Sequence, residues 1–341
     1  MTEQQSYHAL NCVLQSNYAK LQRLKIAHQT WYRAWQHESQ QYSSCNPEKL
    51  WGQLESEGIQ LYLQDDASYP ALLKEISYPP LGIYIKGSLP GQSLPQEASI
   101  AIVGTRKATL AGKTAATALA RDLSQYRIPI ISGLALGIDQ AAHFGALEAS
   151  GHTYAVLATG LDRVYPRQHI ALAQQILEHQ GGLISEYPPG TASLPHHFLQ
   201  RNRIVSGLSR ATIVIEAPEH SGSLVTAQHA LEQNREVFIV PGPIQHPNYR
   251  GSHQLIRAGA RLITSAKDIL EDLNIDLKKT PSLPFSSSHP HAEEQIVLDI
   301  IKELGWPCSI DKIGQISKIE IPKVNRIITF LTLNGQLPEL L

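Results

Sequence analysis

The sequence predicts an α/β protein built on an extended, mainly parallel sheet. Short apolar runs punctuated by Gly and Pro recur from Ile59 onward: Ile59–Leu63, Gly82–Ile85, Ile100–Val103, Ile128–Ser132, Thr153–Leu157, Leu183–Ser185, Thr212–Glu216, Val237–Val240 and Arg261–Thr264. Helical patterns separate most of them, giving crossovers long enough for parallel pairing. Runs such as Ile100-Ala101-Ile102-Val103 are apolar throughout, as strands buried on both faces are. The expected centre is therefore a Rossmann-like domain over residues 59–275, flanked by two smaller modules.

Residues 1–58 read as a small helical module. Leu10, Val13, Leu14, Leu21 and Leu24 recur at helical spacing. Asn46-Pro47 supplies a cap and a first-turn proline before Leu50–Glu57, and Gly58 a stop. Trp31, Trp35, Tyr42 and Trp51 are assigned to its core rather than to base stacking, because a short helical domain needs large side chains inside.

In an open parallel sheet, ligands bind beyond the carboxyl ends of the strands, so the residues after each run carry the functional argument. Ile100–Val103 exits into Gly104-Thr105-Arg106 and then an alanine-rich helix with Ala115, Leu119, Leu123 and Tyr126 on one face. A glycine after such a strand lets backbone N–H groups approach an anion, and the arginine can grip a phosphate or stack on a base. From this turn alone, a solvated arginine is equally open. Nucleotide fingerprints are absent: Lys107 stands where a Walker glycine would precede Gly112-Lys113-Thr114, and Arg106 and Thr109 replace the later glycines of the dinucleotide motif. Ser132-Gly133, the stretch Glu216–Ser223 with Ser221, Gly222 and Ser223, and Gly242 add similar turns at the same rim. Together they suggest an extended anion site. Asp139, Ser221 and Ser223 are also natural helix caps, and Glu216 is a lone carboxylate with no catalytic partner. No catalytic residue is assigned.

Leu194–Arg210 is the most basic and aromatic stretch of this domain. Phe198, Arg201, Asn202 and Arg203 combine a stacking face, guanidiniums and an amide, the mixture that single-stranded nucleic acid requires. His196-His197 has no third ligand at metal spacing and reads as a surface pair; no metal or cofactor is expected.

Whole-chain totals set bounds. The 341 residues suit two or three domains, and 29 Lys plus Arg against 30 Asp plus Glu mean that polyanion binding must come from a local patch. Cys12, Cys45 and Cys308 are widely spaced and fit a reducing compartment. With a polar N-terminus and no stretch of membrane-spanning length, the expected location is cytoplasmic, without membrane contact.

The segments YPALLKEISYPPLGIYIKG (Tyr69–Gly87), IAIVGTRKAT (Ile100–Thr109), ISGLALGIDQAAHFGAL (Ile131–Leu147), YAVLATGLDRVYP (Tyr154–Pro166), ISEYPPGT (Ile184–Thr191), FLQRNRIVSGLS (Phe198–Ser209), VIEAPEHSGSLVTAQHAL (Val214–Leu231) and VFIVPG (Val237–Gly242) resemble, in order, the DNA-processing protein A family, DprA/Smf. The resemblance implies a non-enzymatic single-strand DNA-binding protein of natural transformation. Such a protein protects incoming strands, loads RecA recombinase and dimerises through the Rossmann-like domain. It implies DNA contacts at Gly104, Thr105 (where the family has Ser) and Arg106, at Phe198, Arg201, Asn202 and Arg203, and more weakly at Arg167. The N-terminal module would be of the SAM or helix–hairpin–helix kind. The rival reading is a phosphoribohydrolase-like enzyme on a similar scaffold, although the stretch Ala217–Ala227 lacks that group's Gly pair and Glu. A further alternative is a scaffold that binds RecA without DNA.

The C-terminal part follows a Pro/Ser linker, residues 276–291. Ile296, Ile300 and Leu304 form a helical stripe; Pro322 opens another helix with Val324, Ile327, Ile328 and Leu331, stopped by Asn334-Gly335. This resembles the start of a winged helix over 292–341. Only Gln336–Leu341 remain for a wing, and the second helix offers Lys323 and Arg326 as its cations. An incomplete or repurposed interaction module is expected.

Overall fold

The computed structural model describes residues 1–90, 99–275, 292–304, 309–321, 324 and 327–328. Helices α1 (Glu3–Val13), α2 (Tyr18–His28), α3 (Trp31–Glu38) and α4 (Pro47–Ser56) lead into β1 (Ile59–Leu63), the short α5 (Ala71–Lys74) and β2 (Gly82–Gly87). Alternation then begins: β3 (Ile100–Val103), α6 (Leu110–Gln125), β4 (Ile130–Ser132), α7 (Ile138–Glu148), β5 (Thr153–Val156), α8 (Ile170–Glu178) and β6 (Gly182–Ser185). It continues through α9 (Pro195–Gly207), β7 (Ala211–Val214), α10 (Gly222–Glu232), β8 (Glu236–Ile239), α11 (Arg250–Arg257), β9 (Arg261–Leu262) and α12 (Ala266–Asp272).

These strands form one nine-stranded sheet in the order β1-β2-β6-β5-β4-β3-β7-β8-β9. The pairs β1/β2 and β2/β6 are antiparallel and the others parallel. Each predicted apolar run became a strand. In β3, Ile100 and Ile102 point into a core with α6, α7 and α12, while Ala101 and Val103 point into one with α9 and α10. Because β4 lies on one side of β3 and β7 on the other, the chain reverses direction across the sheet at the β3 exit, which opens a crevice there. At the far edge, both residues of β9 are exposed, and Arg261 pairs with Glu236 at 3.6 Å and Asp272 at 3.3 Å.

The N-terminal helices share a core with the sheet. Trp31 and Trp35 are buried, with Tyr42 and Trp51 packed against them, and the cluster runs on into Tyr84 of β2 and Leu183 of β6. The Tyr84 hydroxyl accepts a hydrogen bond from Asn11 Nδ2 at 3.1 Å and lies 3.0 Å from His8 Nδ1. Burial pushes that phenol well above its ordinary pKa, so it stays neutral and able to bond both partners. Met1–Pro281 accordingly form one compact unit.

Ser282–Leu341 form a second unit. Within it, α13 (Ala292–Leu304) and α14 (Ile310–Ser317) close over Val297, Ile300, Ile301, Ile313, Val324, Ile327 and Ile328. The buried stripe of α13 is rotated from the expected one: Ile296 is exposed and Val297 takes the inner position. The linker segment Thr280–His291, Pro322, Lys323, Arg326, Leu331, Asn334-Gly335 and Gln336–Leu341 lie outside the described residues.

Candidate nucleic-acid interface

The crevice at the β3 exit is a cavity of about 720 Å³ walled by three strand exits and by α9. It brings together Gly104, Thr105, Arg106, Gly133, Phe198, Arg201, Asn202, Ser221, Gly222 and Ser223, which lie far apart in sequence. Glycine is required where walls meet: a Cβ on Gly104 would sit 2.5 Å from Ile138 Cγ1, and one on Gly133 2.5 Å from Arg201 Nη1. The β3 turn is fixed through the main chain and the side chain of Thr105. Thr105 N donates to Glu216 O at 2.8 Å, and Thr105 Oγ1 accepts from Lys107 N at 3.2 Å. The threonine hydroxyl oxygen thus shapes the turn that carries Arg106.

Arg106 is exposed, and its guanidinium carbon lies 5.1 Å from the centre of the Phe198 ring. Tyr165, which the sequence reading missed, meets the same ring edge-on at 5.4 Å. The aromatic pair holds the guanidinium at the cavity wall, reducing the rotamer freedom it loses on gripping an anion. Among the described residues, neither Arg106 nor Lys107 has an ion-pair partner within 4.0 Å.

Arg201 departs from its expected role as a phosphate contact. It is 4% exposed and its Nη1 donates to Gly133 O at 2.6 Å and to Val156 O. Burial lowers its pKa to about 10, an effect that the nearby Asp139 opposes. Burial also raises the Asp139 pKa, offset in part by Arg201 and by bonds from Gly133 N at 3.1 Å and Ala135 N at 3.3 Å. Asp139 therefore ties down the β4–α7 loop rather than capping α7, whose N-cap is Gly137.

Other expected contacts are also placed elsewhere. Ser132 is buried, its hydroxyl donating to Ile102 O at 2.6 Å, so it braces two strands. Arg203 lies on another face of α9, where Nη2 pairs with Glu186 Oε2 at 2.5 Å. Gly242 packs against the Tyr249 ring, away from the cavity, and Arg167 is exposed but does not line it. Ser221 caps α10, accepting from Ser223 N at 3.1 Å. Asn202 remains in the wall, its Nδ2 donating to Gly222 O at 3.1 Å. Of the expected surface histidine pair, His197 is buried and stacks on Tyr187 with ring centres 4.1 Å apart.

Glu216 is fully buried behind the β3 turn. Its carboxylate accepts from Thr109 N at 3.1 Å, Thr109 Oγ1, Asn248 Nδ2 at 2.8 Å and Tyr249 OH at 3.0 Å. Burial alone would raise its pKa; the bonds from Thr109, Asn248 and Tyr249 outweigh that and hold it below the ordinary value. Its acceptor positions are engaged in anchoring α6, so the role of a general base has no support in the geometry.

A family model described as DNA recombination-mediator protein A matches residues 60–274. The chain is 36% identical over 286 residues to protein Smf of Escherichia coli, covering 83% of this chain and 76% of that one. It is 42% identical over 217 residues to the DNA processing protein DprA of Bacillus subtilis, covering 64% and 72%. Its fold superposes on the crystal structure of DprA from Streptococcus pneumoniae with a TM-score of 0.62 at 33% identity, covering 80% of this chain and 93% of that one. A DprA structure from Helicobacter pylori, described for its single-stranded DNA binding mode, gives 0.56 at 28% identity, covering 63% and 95%. With the sheet, the order of its strand exits and these relatives in agreement, the chain belongs to the DNA recombination-mediator protein A family.

Proposed function

We propose that the protein binds single-stranded DNA as a recombination mediator of natural transformation, sheltering incoming strands and loading RecA onto them in the cytoplasm. Residues 59–275 are the DNA-binding domain, used as a homodimer, and residues 292–341 an interaction module. The single observation carrying the DNA reading is the Arg106–Phe198 pair at the sheet's crevice, a cation beside a half-buried ring. A phosphate can be gripped by the guanidinium while an unpaired base stacks at Phe198 or Tyr165. The serine and glycine turns opposite leave room for a backbone to run past. The single-strand binding described for the Helicobacter relative supports the same ligand, and the family resemblance supports RecA and the dimer.

Anisotropy of a labelled oligonucleotide tests this reading. Arg106→Ala is expected to weaken binding and to reduce the salt slope by about 0.7, the value for one phosphate contact on a single strand. Phe198→Ala is expected to cost about 1–3 kcal/mol with a smaller change in slope. Unchanged affinity in Arg106→Ala overturns the assignment of this cavity.

A further inference from the structure

Beside the crevice, the start of α11 is stapled to two of the turns that wall it. Asn248 Nδ2 donates to Lys107 O at 3.0 Å, on the turn that carries Arg106, and to Glu216 Oε2 at 2.8 Å. Gly251 N and Ser252 N donate to Ala217 O at 2.9 and 3.2 Å, on the exit of β7. Arg250 lies between these anchors. It is exposed, and its Nη1 stands 4.0 Å from Oε2 of Glu219, a residue of the crevice wall. At that separation, between two exposed side chains, the pairing contributes little and leaves the guanidinium available to another anion.

Lys107 is likewise exposed and has no ion-pair partner among the described residues. Arg106 and Lys107 adjoin on one turn, and the Asn248 bond brings Arg250 beside it, so the cationic lip of the crevice continues over that turn. The carboxylates nearby do not cancel it. Glu216 is buried among donors, Asp139 is buried beside Arg201, and Glu219 is shared with Gln254 at 3.4 Å. The other ways out carry less free charge. Along α9, Arg201 is buried and Arg203 is paired with Glu186; after β5, Arg163 lies 3.1 Å from Asp162. A polyanion leaving the crevice is drawn towards the unpaired cations.

We infer that a single strand whose phosphate is held at Arg106 leaves the crevice over the β3 turn, with Lys107 and Arg250 gripping further phosphates. The inference rests on the DNA reading above. It adds the start of α11 to the binding surface.

The test titrates the full chain with labelled oligothymidylates of increasing length, and with a strand of abasic spacers, by anisotropy over a range of salt. Lys107→Ala keeps the carbonyl that Asn248 bonds, and Arg250→Ala removes an exposed side chain, so both should fold; thermal melts check this. One phosphate contact on a single strand accounts for about 0.7 of the salt slope, which at 0.1 M salt is about fivefold in affinity. Each variant is expected to lose about that much in both quantities on long strands. The loss should be the same on the abasic strand, because the contacts are to phosphate. Arg250→Ala should leave the shortest strands that bind at wild-type affinity, and Glu219→Gln should tighten long strands about twofold. Lys86→Ala, beside the start of β6 at the opposite rim of the sheet, should change neither quantity. Wild-type affinity and slope in both Lys107→Ala and Arg250→Ala, alongside weakened binding by Arg106→Ala, overturn the path and leave the crevice standing. Equal losses in Lys86→Ala overturn it as an effect of net charge alone, and an equal loss in Arg250→Ala at every length removes the further phosphate. If the wild-type chain binds no oligonucleotide, the underlying DNA reading fails with it.

Discussion

Replacing Glu216 with Gln changes one oxygen for an NH2 group in a site where every neighbour donates. If the amide nitrogen takes the Oε2 position, it faces Thr109 N and Asn248 Nδ2, neither of which can accept. If it takes the Oε1 position, the hydroxyls of Thr109 and Tyr249 can turn to accept from it, but the charge assistance is gone. Hydrogen bonds to a charged group contribute about 1.5–3 kcal/mol each and are not additive in a shared site, so the expected loss is about 3 kcal/mol. For a unit of this size, Met1–Pro281, that is about 5 °C in Tm. The loss should depend on pH. The carboxyl of the folded protein titrates below its ordinary value of 4.5, so its stabilisation is fully present above pH 4.5 and is lost as the pH falls through the folded value. The Tm difference between wild type and Glu216→Gln should therefore be full at neutral pH and close in acid. Scanning calorimetry across that range is the assay. A variant melting within about 2 °C of wild type at neutral pH would refute the anchoring role. Base release from nucleoside monophosphates, lost in a normally folded Glu216→Gln, would instead revive the enzymatic reading.

Two other substitutions probe the frame of the crevice. Arg201→Ala leaves Asp139 buried without its compensating cation and should cost about 3–5 kcal/mol. Its loss of DNA binding should then track the unfolded fraction in a thermal melt, while a stable but non-binding variant would return Arg201 to the contact surface. Gly145→Ala drives a Cβ into the Thr117 carbonyl where α7 crosses α6; overpacking of this kind should cost about 1–3 kcal/mol, and an unchanged Tm would mean that the two helices can part.

The parallel sheet was legible because runs like Ile100–Val103 are buried on both faces and have no other reason to be continuously apolar. The crevice was legible for the same reason: strand exits converge wherever such a sheet reverses. The orientation of α9 was less legible. Its basic and aromatic composition suggests that both arginines contact nucleic acid, yet Arg201 lies three residues from Ile204 and four from Val205, both core positions, so helical spacing marks it as inward. The pairing of Arg203 with Glu186 and the edge contact of Tyr165 with Phe198 join separate segments. No local pattern encodes them, because they depend on how loops return to the sheet.

The far edge of the sheet bears on how the chain survives its own folding. A parallel sheet forms slowly, since every pairing waits on a crossover, and a long bare edge during that interval recruits unfolded neighbours. Strand β9 exposes little backbone to recruit with: it is two residues long, and the side chain at its start is pinned between two carboxylates. An incoming strand would gain few ladder bonds there and would have to displace charge. Aggregation is thus discouraged at this margin of the fold by brevity and ionic bracing.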